Sequence, residues 1–344
     1  MKIRKASKTF FVSLFIASIS LLLFLLSRKK PEIAEALSGS VGSFLRNASF
    51  FISNRVSFSL SELFLVFTPA FLILFIYLLK KGSSELARKH FSGLLSVFLL
   101  IFSASLNTFF IPFSKEPIFD YSEASDEEAL SVLSFLQGKI NTFSSPSYPD
   151  LNEASASLYS AYSSLDFPSL NLTKESPKIK KIKNEKLASR LRGLGSFSFL
   201  TSEINVNFSA PRYTVFFTIA HEMAHLYGVM REGEASFFAF LASIETGNSA
   251  IMYSAYLSAF ESLFVELYPS CQSKAGEIYE SLSASAKAEL LQYREFYFKN
   301  EGSASSGADK LNGELLYFAS TDDSADYELF PRLLISHLLR SLEM

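Results

Sequence analysis

Thr218-Ile-Ala-His-Glu-Met-Ala-His-Leu-Tyr-Gly-Val-Met-Arg-Glu232 contains H-E-x-x-H with a carboxylate close behind it. On a helix, His221 and His225 stand four residues apart, so both imidazoles project from one face and can hold one metal ion. Glu222 lies about 100° round the helix from His221. That places it beside such a metal and not on it, where a general base for water belongs. The preceding run, Tyr213 to Ala220, is almost wholly apolar, which suits a buried helix better than a solvated one with incidental histidines.

A zinc site for hydrolysis needs three protein ligands and an open position. Gly228 is placed to end the helix in a left-handed conformation, and a second apolar segment starts at once with Glu232-Gly-Glu234. Both carboxylates fall in its first turn, where the helix dipole also favours them. In zincins of the gluzincin type the third ligand is the Glu of E-x-x-x-D or E-x-x-A-N, with the last residue supporting the site. Glu232-Gly-Glu-Ala-Ser236 is similar to that pattern, with Ser as a departure. The resemblance makes Glu232 the expected third ligand and Glu234 the alternative. The step from His225 to Glu232 is shorter than the gluzincin norm and nearer the H-E-x-x-H-x-x-G-x-x-H spacing of metzincins, whose third His would fall on Arg231. His337 is an outside candidate; a histidine on an ordinary helix face is the simpler reading.

The composition is 49% hydrophobic with 36 Phe, as expected of a membrane protein that also carries a folded soluble part. Three nearly uncharged stretches, Thr9 to Ser27, Ser59 to Leu79 and Phe91 to Phe113, are each long enough to cross about 30 Å of hydrocarbon. The first is followed by Arg28-Lys29-Lys30 instead of a small-residue cleavage site, so it reads as an anchor. Lys2, Arg4, Lys5 and Lys8 at the N-terminus and Lys80, Lys81, Arg88 and Lys89 in the second loop place both inside, and the region after Phe113 outside. Arg28, Lys29, Lys30, Arg46 and Arg55 in the longer first loop oppose this. A net charge of -2 and the absence of any recognition motif exclude nucleic acid as an expected partner. The single Cys271 forms no intrachain disulfide.

Beyond Ser114 the chain turns polar. Helices are expected over Asp120 to Ile140, where Asp126-Glu-Glu opens one, and over Leu151 to Ser164, Asn248 to Leu267, Ser270 to Lys299 and Glu328 to Leu342. A Gly/Ser/Asp-rich loop is expected over Asn300 to Asp326. The basic run Lys174 to Arg192 reads as a solvated helix or loop, with contact to anionic headgroups as the functional alternative. Gly195 to Phe208 alternates as strands, with Glu203, Asn205 and Asn207 on one face. Such a strand beside the motif could be the sheet edge along which an extended peptide binds.

The chain resembles the domain-of-unknown-function family numbered 3810, bacterial membrane proteins with N-terminal spans and an H-E-x-A-H motif. The matching pieces are Phe58-Ser-Leu-Ser-Glu-Leu63, Leu200-Thr-Ser-Glu-Ile-Asn-Val-Asn207, Ala220-His-Glu-Met-Ala-His225 with Gly228, and Arg231 to Ala242. Ser236 and Leu226 depart from the family's usual Asn and Gln. The resemblance implies a zincin-like metallopeptidase domain.

The expectation is therefore an α+β, mainly helical chain: a three-helix transmembrane region over residues 1–113, then a zincin-like catalytic domain over 114–344. His221, His225 and Glu232 would bind Zn2+, and Glu222 would act as general base on a peptide or protein substrate near the bilayer. The protein would be multi-pass in a bacterial cell membrane with an extracytoplasmic catalytic domain. Tyr227, Arg231 and Tyr327 are the residues considered for oxyanion stabilisation. The non-enzymatic alternative is a membrane protein whose zinc is structural or helps bind peptide.

Overall fold

The computed structural model describes residues 8–80, 85–143, 147–302, 304–307, 309–310 and 329–342. The chain is mainly helical and divides into two compact units. One comprises Met1–Glu116 and Ser198–Glu203; the other comprises Pro117–Phe197 and Ile204–Met344.

In the first unit, α1 (Lys8–Ser27) leads into α2 (Pro31–Leu37), a π-helical turn (Ser38–Gly42) and α3 (Ser43–Ser53). These are followed by α4 (Leu60–Lys80) and by α5 (Glu85–Ser105), which a second π-helical turn (Leu106–Phe110) joins to α6 (Ile111–Phe113). Among the described residues, three helices, Lys8–Ser27, Leu60–Tyr77 and Phe91–Phe113, are long and apolar enough to cross a membrane. They fall on the three expected spans. Ser13, Ala17, Ser20 and Ser27 lie with Phe24 on the buried stripe of α1, and the small residues let α1 and α5 approach closely. Ser20 Oγ lies 2.5 Å from Ser103 Oγ and accepts from Asn107 Nδ2 at 3.0 Å. Asn107, the one amide in the third span, thus finds its partner on a neighbouring helix.

The turn Ser198–Glu203 belongs to this unit through Glu203. Its buried carboxylate accepts from the first backbone N–H groups of α4, Leu60 N at 3.0 Å and Ser61 N at 2.8 Å, and from Thr201 Oγ1 at 2.7 Å. An acid at a helix N-terminus meets both orphan donors and the positive end of the dipole. The Ser-Leu-Ser-Glu-Leu and Thr-Ser-Glu stretches of the sequence are brought together by this cap.

The second unit opens with α7 (Asp126–Thr142) and α8 (Leu151–Ser164). Ser125 and Glu128 close a capping box on α7, which is why the helix starts at Asp126 and not at Asp120. A short strand β1 (Lys180–Lys181) and α9 (Glu185–Arg190) occupy the basic run. Lys180 is buried there, so the run is not simply a solvated face. Then come β2 (Gly195–Ser198), β3 (Glu203–Val206), α10 (Arg212–Leu226), α11 (Glu232–Glu245) and α12 (Ser249–Leu267), followed by α13 (Gln272–Glu280), α14 (Ala284–Lys299) and α15 (Leu329–Leu342). The single helix expected from Ser270 to Lys299 is broken because Ser283 turns to cap Ala286 N and starts α14 afresh. Most of the expected Asn300 to Asp326 loop, and Tyr327, lie outside the described residues.

The sheet order is β1-β3-β2, with β1 and β3 parallel. β3 is therefore central and buried throughout, which overturns its expected role as a peptide-binding edge. Asn207 is buried too, donating from Nδ2 to Gly193 O at 2.9 Å and Ser189 Oγ at 3.0 Å. Alternation alone could not show that both faces are covered. Helices α10, α11 and α12 form the core with α7 and α15, through Tyr213, Phe240, Phe260 and Leu334 among others. Phe119 wedges between Phe237 and Phe238 at centroid distances of 4.8 and 4.9 Å. Each such buried side chain contributes roughly 1.5–3 kcal/mol, so α10 is held along its length.

Candidate metal centre

Helix α10 is buried on nearly every side and pinned at several points. Phe217 N donates to Ser254 Oγ at 2.9 Å, Ser254 Oγ donates to Tyr213 O, and Tyr162 Oη donates to Ala220 O at 2.7 Å. The helix stops at Gly228, whose φ of 97° is open to glycine and costly for other residues. The resulting turn brings Glu232, the first residue of α11, back against the last two turns of α10.

His221, His225 and Glu232 converge there, with ligand atoms all within 4.8 Å of one another. The two Nε2 atoms are 3.1 Å apart, and Glu232 Oε2 lies 3.0 Å from His221 Nε2 and 3.7 Å from His225 Nε2. Ligands held tetrahedrally at the usual zinc distances of about 2.0–2.1 Å stand roughly 3.3 Å apart, so this donor set fits zinc. Both outer nitrogens are engaged elsewhere. His225 Nδ1 donates to Val229 O at 2.7 Å, and His221 Nδ1 pairs with Ser236 Oγ at 3.1 Å. Each outer bond orients its ring and leaves Nε2 to face the centre. Ser236, four residues after Glu232, is thus the group that holds the outer nitrogen of His221.

The charges reinforce one another. Burial alone would push His225 down, but the carboxylates of Glu232 and Glu222 lift it to about 9. Burial would raise Glu232, yet His225 and His221 hold it well below the carboxylate range. Glu222 is only 7% exposed, and its burial outweighs the nearby histidines, so its pKa is raised. His221 and Glu232 keep side-chain exposures of 17% and 21%, which leaves the centre open on one side.

Glu234 turns away and accepts from Ile118 N, so it is not part of the cluster. His337 sits on α15 with its ring edge-on to Phe237, 5.5 Å between centroids. Tyr227 is buried against Tyr162 and belongs to the core.

The alternation from Gly195 marks β2 as a strand, but it does not show that this strand lies over the centre. β2 is the edge strand next to Glu222, and the Phe197 N–H donates to that carboxylate. Gly195 permits the approach: a Cβ there would fall 2.5 Å from Thr218 Cγ2 and 3.2 Å from Glu222 Oε1. A glycine opening a strand just before the motif was the available signal.

A family model described as "Protein of unknown function (DUF3810)" matches residues 38–335. The chain belongs to the DUF3810 family. The match takes in α3, the spans α4 and α5, the β2–β3 hairpin and all the residues of the centre. No curated protein and no solved structure matches this DUF3810 member.

Proposed function

We propose that this DUF3810 member is a membrane-anchored, zinc-dependent metallopeptidase with a zincin-like catalytic unit. The observation that carries the reading is the convergence of His221, His225 and Glu232 on one point, with the buried Glu222 beside them and outside the ligand set. A purely structural zinc site has no use for such a base. A bound zinc ion would polarise the scissile carbonyl and acidify water.

The chain's own residues supply the rest. Glu222, whose pKa burial raises, takes the proton of the attacking water as the O–C bond forms. It passes that proton to the amine nitrogen as the C–N bond breaks. Edge strand β2 offers a template for an extended peptide added beside Gly195 and Phe197. The substrate of this reading is a peptide or protein near the membrane surface, and the Lys/Arg bias of the N-terminus and second loop supports a catalytic unit outside the cytoplasm.

The test is elemental analysis of the purified protein alongside cleavage of a peptide library. One zinc should be lost with His221→Ala and Glu232→Ala, and retained with Glu222→Gln, which should abolish cleavage. Zinc retained with no cleavage by the wild type would favour a structural or peptide-binding site. A wild type that takes up no metal under conditions that load a known zincin would sink both readings.

A further inference from the structure

Helix α3 is built the wrong way round for water. Its buried face carries Arg46, at 2% exposure, and Ser53 beside Phe50, and the residue that follows it, Asn54, is buried as well. Its outward stripe, with Val41 of the preceding turn, is apolar: Phe44 is 71% exposed, Phe51 61% and Ile52 64%. Arg46 points between the two π-helical turns, donating from Nη2 to Ser38 O at 3.4 Å, where Gly42 packs so closely that a Cβ would fall 2.7 Å from Asn107 O. A π-turn shifts the helical ladder and frees a carbonyl, which gives a polar side chain a reason to face inward. A helix that turns an arginine and a serine inward while Phe44, Phe51 and Ile52 face outward is stable where the surroundings are themselves apolar.

The tethers say what those surroundings are. Three residues, Arg28 to Lys30, separate the end of α1 from α2, and six, Asn54 to Ser59, separate α3 from α4. A segment so closely leashed to two spans cannot leave the bilayer surface. Eleven residues rise only about 16 Å, half of the roughly 30 Å core. Glu32 and Glu35 keep α2 polar and exposed. We infer that α3 is immersed in one leaflet, with Val41, Phe44, Phe51 and Ile52 among the lipid chains and Arg46 sealed inside the protein. Arg46 then ceases to count as a free loop cation, which weakens the one charge segment opposing the expected orientation.

The chain has no Trp, so a single introduced indole reports its own surroundings. Phe44→Trp and Phe51→Trp, in phosphatidylcholine vesicles, are compared with Leu65→Trp on α4 and Lys274→Trp on α13. Quenching by chain-brominated lipid close to that of Leu65→Trp, with protection from aqueous iodide, is the expected result at both positions. Iodide quenching like that of Lys274→Trp overturns the inference. So does protection from both quenchers, which would mean that another protein surface, such as a second copy, covers the stripe. If Leu65→Trp itself escapes brominated lipid, the membrane reading of the spans fails and takes this inference with it. None of these outcomes depends on the metal centre. The two positions lie on different turns, so failure of one variant to fold leaves the other to decide.

Discussion

The Nε2 atoms of His221 and His225 face each other at 3.1 Å, with their outer nitrogens tied to Ser236 Oγ and Val229 O. Two nitrogen lone pairs aimed at one point repel unless a cation or a proton lies between them. A divalent ion that binds the folded chain stabilises it by mass action, about 4 kcal/mol at a thousandfold excess over Kd. Stripping metal with a chelator should therefore lower the melting temperature of the detergent-solubilised protein by several degrees, and added zinc should restore it. No shift in either direction would count against a metal centre.

Ser236 supports His221 with one neutral hydrogen bond. Loss of such a partner typically weakens metal affinity about 10–100-fold. Ser236→Ala should show that loss in a competition titration against a chromophoric chelator, while Ser236→Asp should bind at least as tightly as wild type. Equal affinity for all three would show that the hydroxyl does not orient the ring.

Gly195 leaves room for Thr218 and Glu222 beneath β2. Gly195→Ala should impair cleavage far more than zinc content, because the added methyl displaces the base and not the ligands. Adding Thr218→Ser removes the methyl that it strikes first and should recover part of the activity. A single variant that loses zinc would locate the damage at the ligands instead.

Glu203 caps α4 with bonds of 3.0 and 2.8 Å to Leu60 and Ser61. Loss of a cap costs about 0.5–2 kcal/mol, and the buried site favours the upper end. Glu203→Ala should lower thermal stability, whereas metal content in the folded protein should stay at the wild-type value. A variant as stable as wild type would mean that water replaces the carboxylate fully.

Glu261 on α12 is pushed up to about 7 by burial. Its folded pKa lies above its unfolded one, so protonation stabilises the native state. That contribution is complete below about pH 4.5 and is lost as pH rises through about 7, for a difference on the order of 3 kcal/mol. Glu261→Gln should unfold later than wild type in denaturant at pH 8 and much like it at pH 4.5. Equal gains at both pH values would show that the carboxyl does not titrate in this range.

The sequence by itself determined the three spans, the start of α7, the stop at Gly228 and the pairing of His221 with His225, because each rests on local periodicity, capping or helical spacing. Whether Glu232 or Glu234 lies beside the histidines was not local. Both sit in the first turn of α11, on opposite sides of it, and only the way α11 returns across α10 turns one inward and sends the other to Ile118 N. The same holds for the hairpin. Alternation marked β2 and β3 as strands, but the partner that made β3 central is the two-residue β1, too short to leave a pattern. Likewise Glu203 and Arg46 look like ordinary surface charges in sequence, and it is the contacts around them that bury one as the cap of α4 and the other between two π-turns. Backbone periodicity is encoded over a few residues, whereas the facing of a side chain depends on partners far along the chain, and that part of the protein only its tertiary structure could decide.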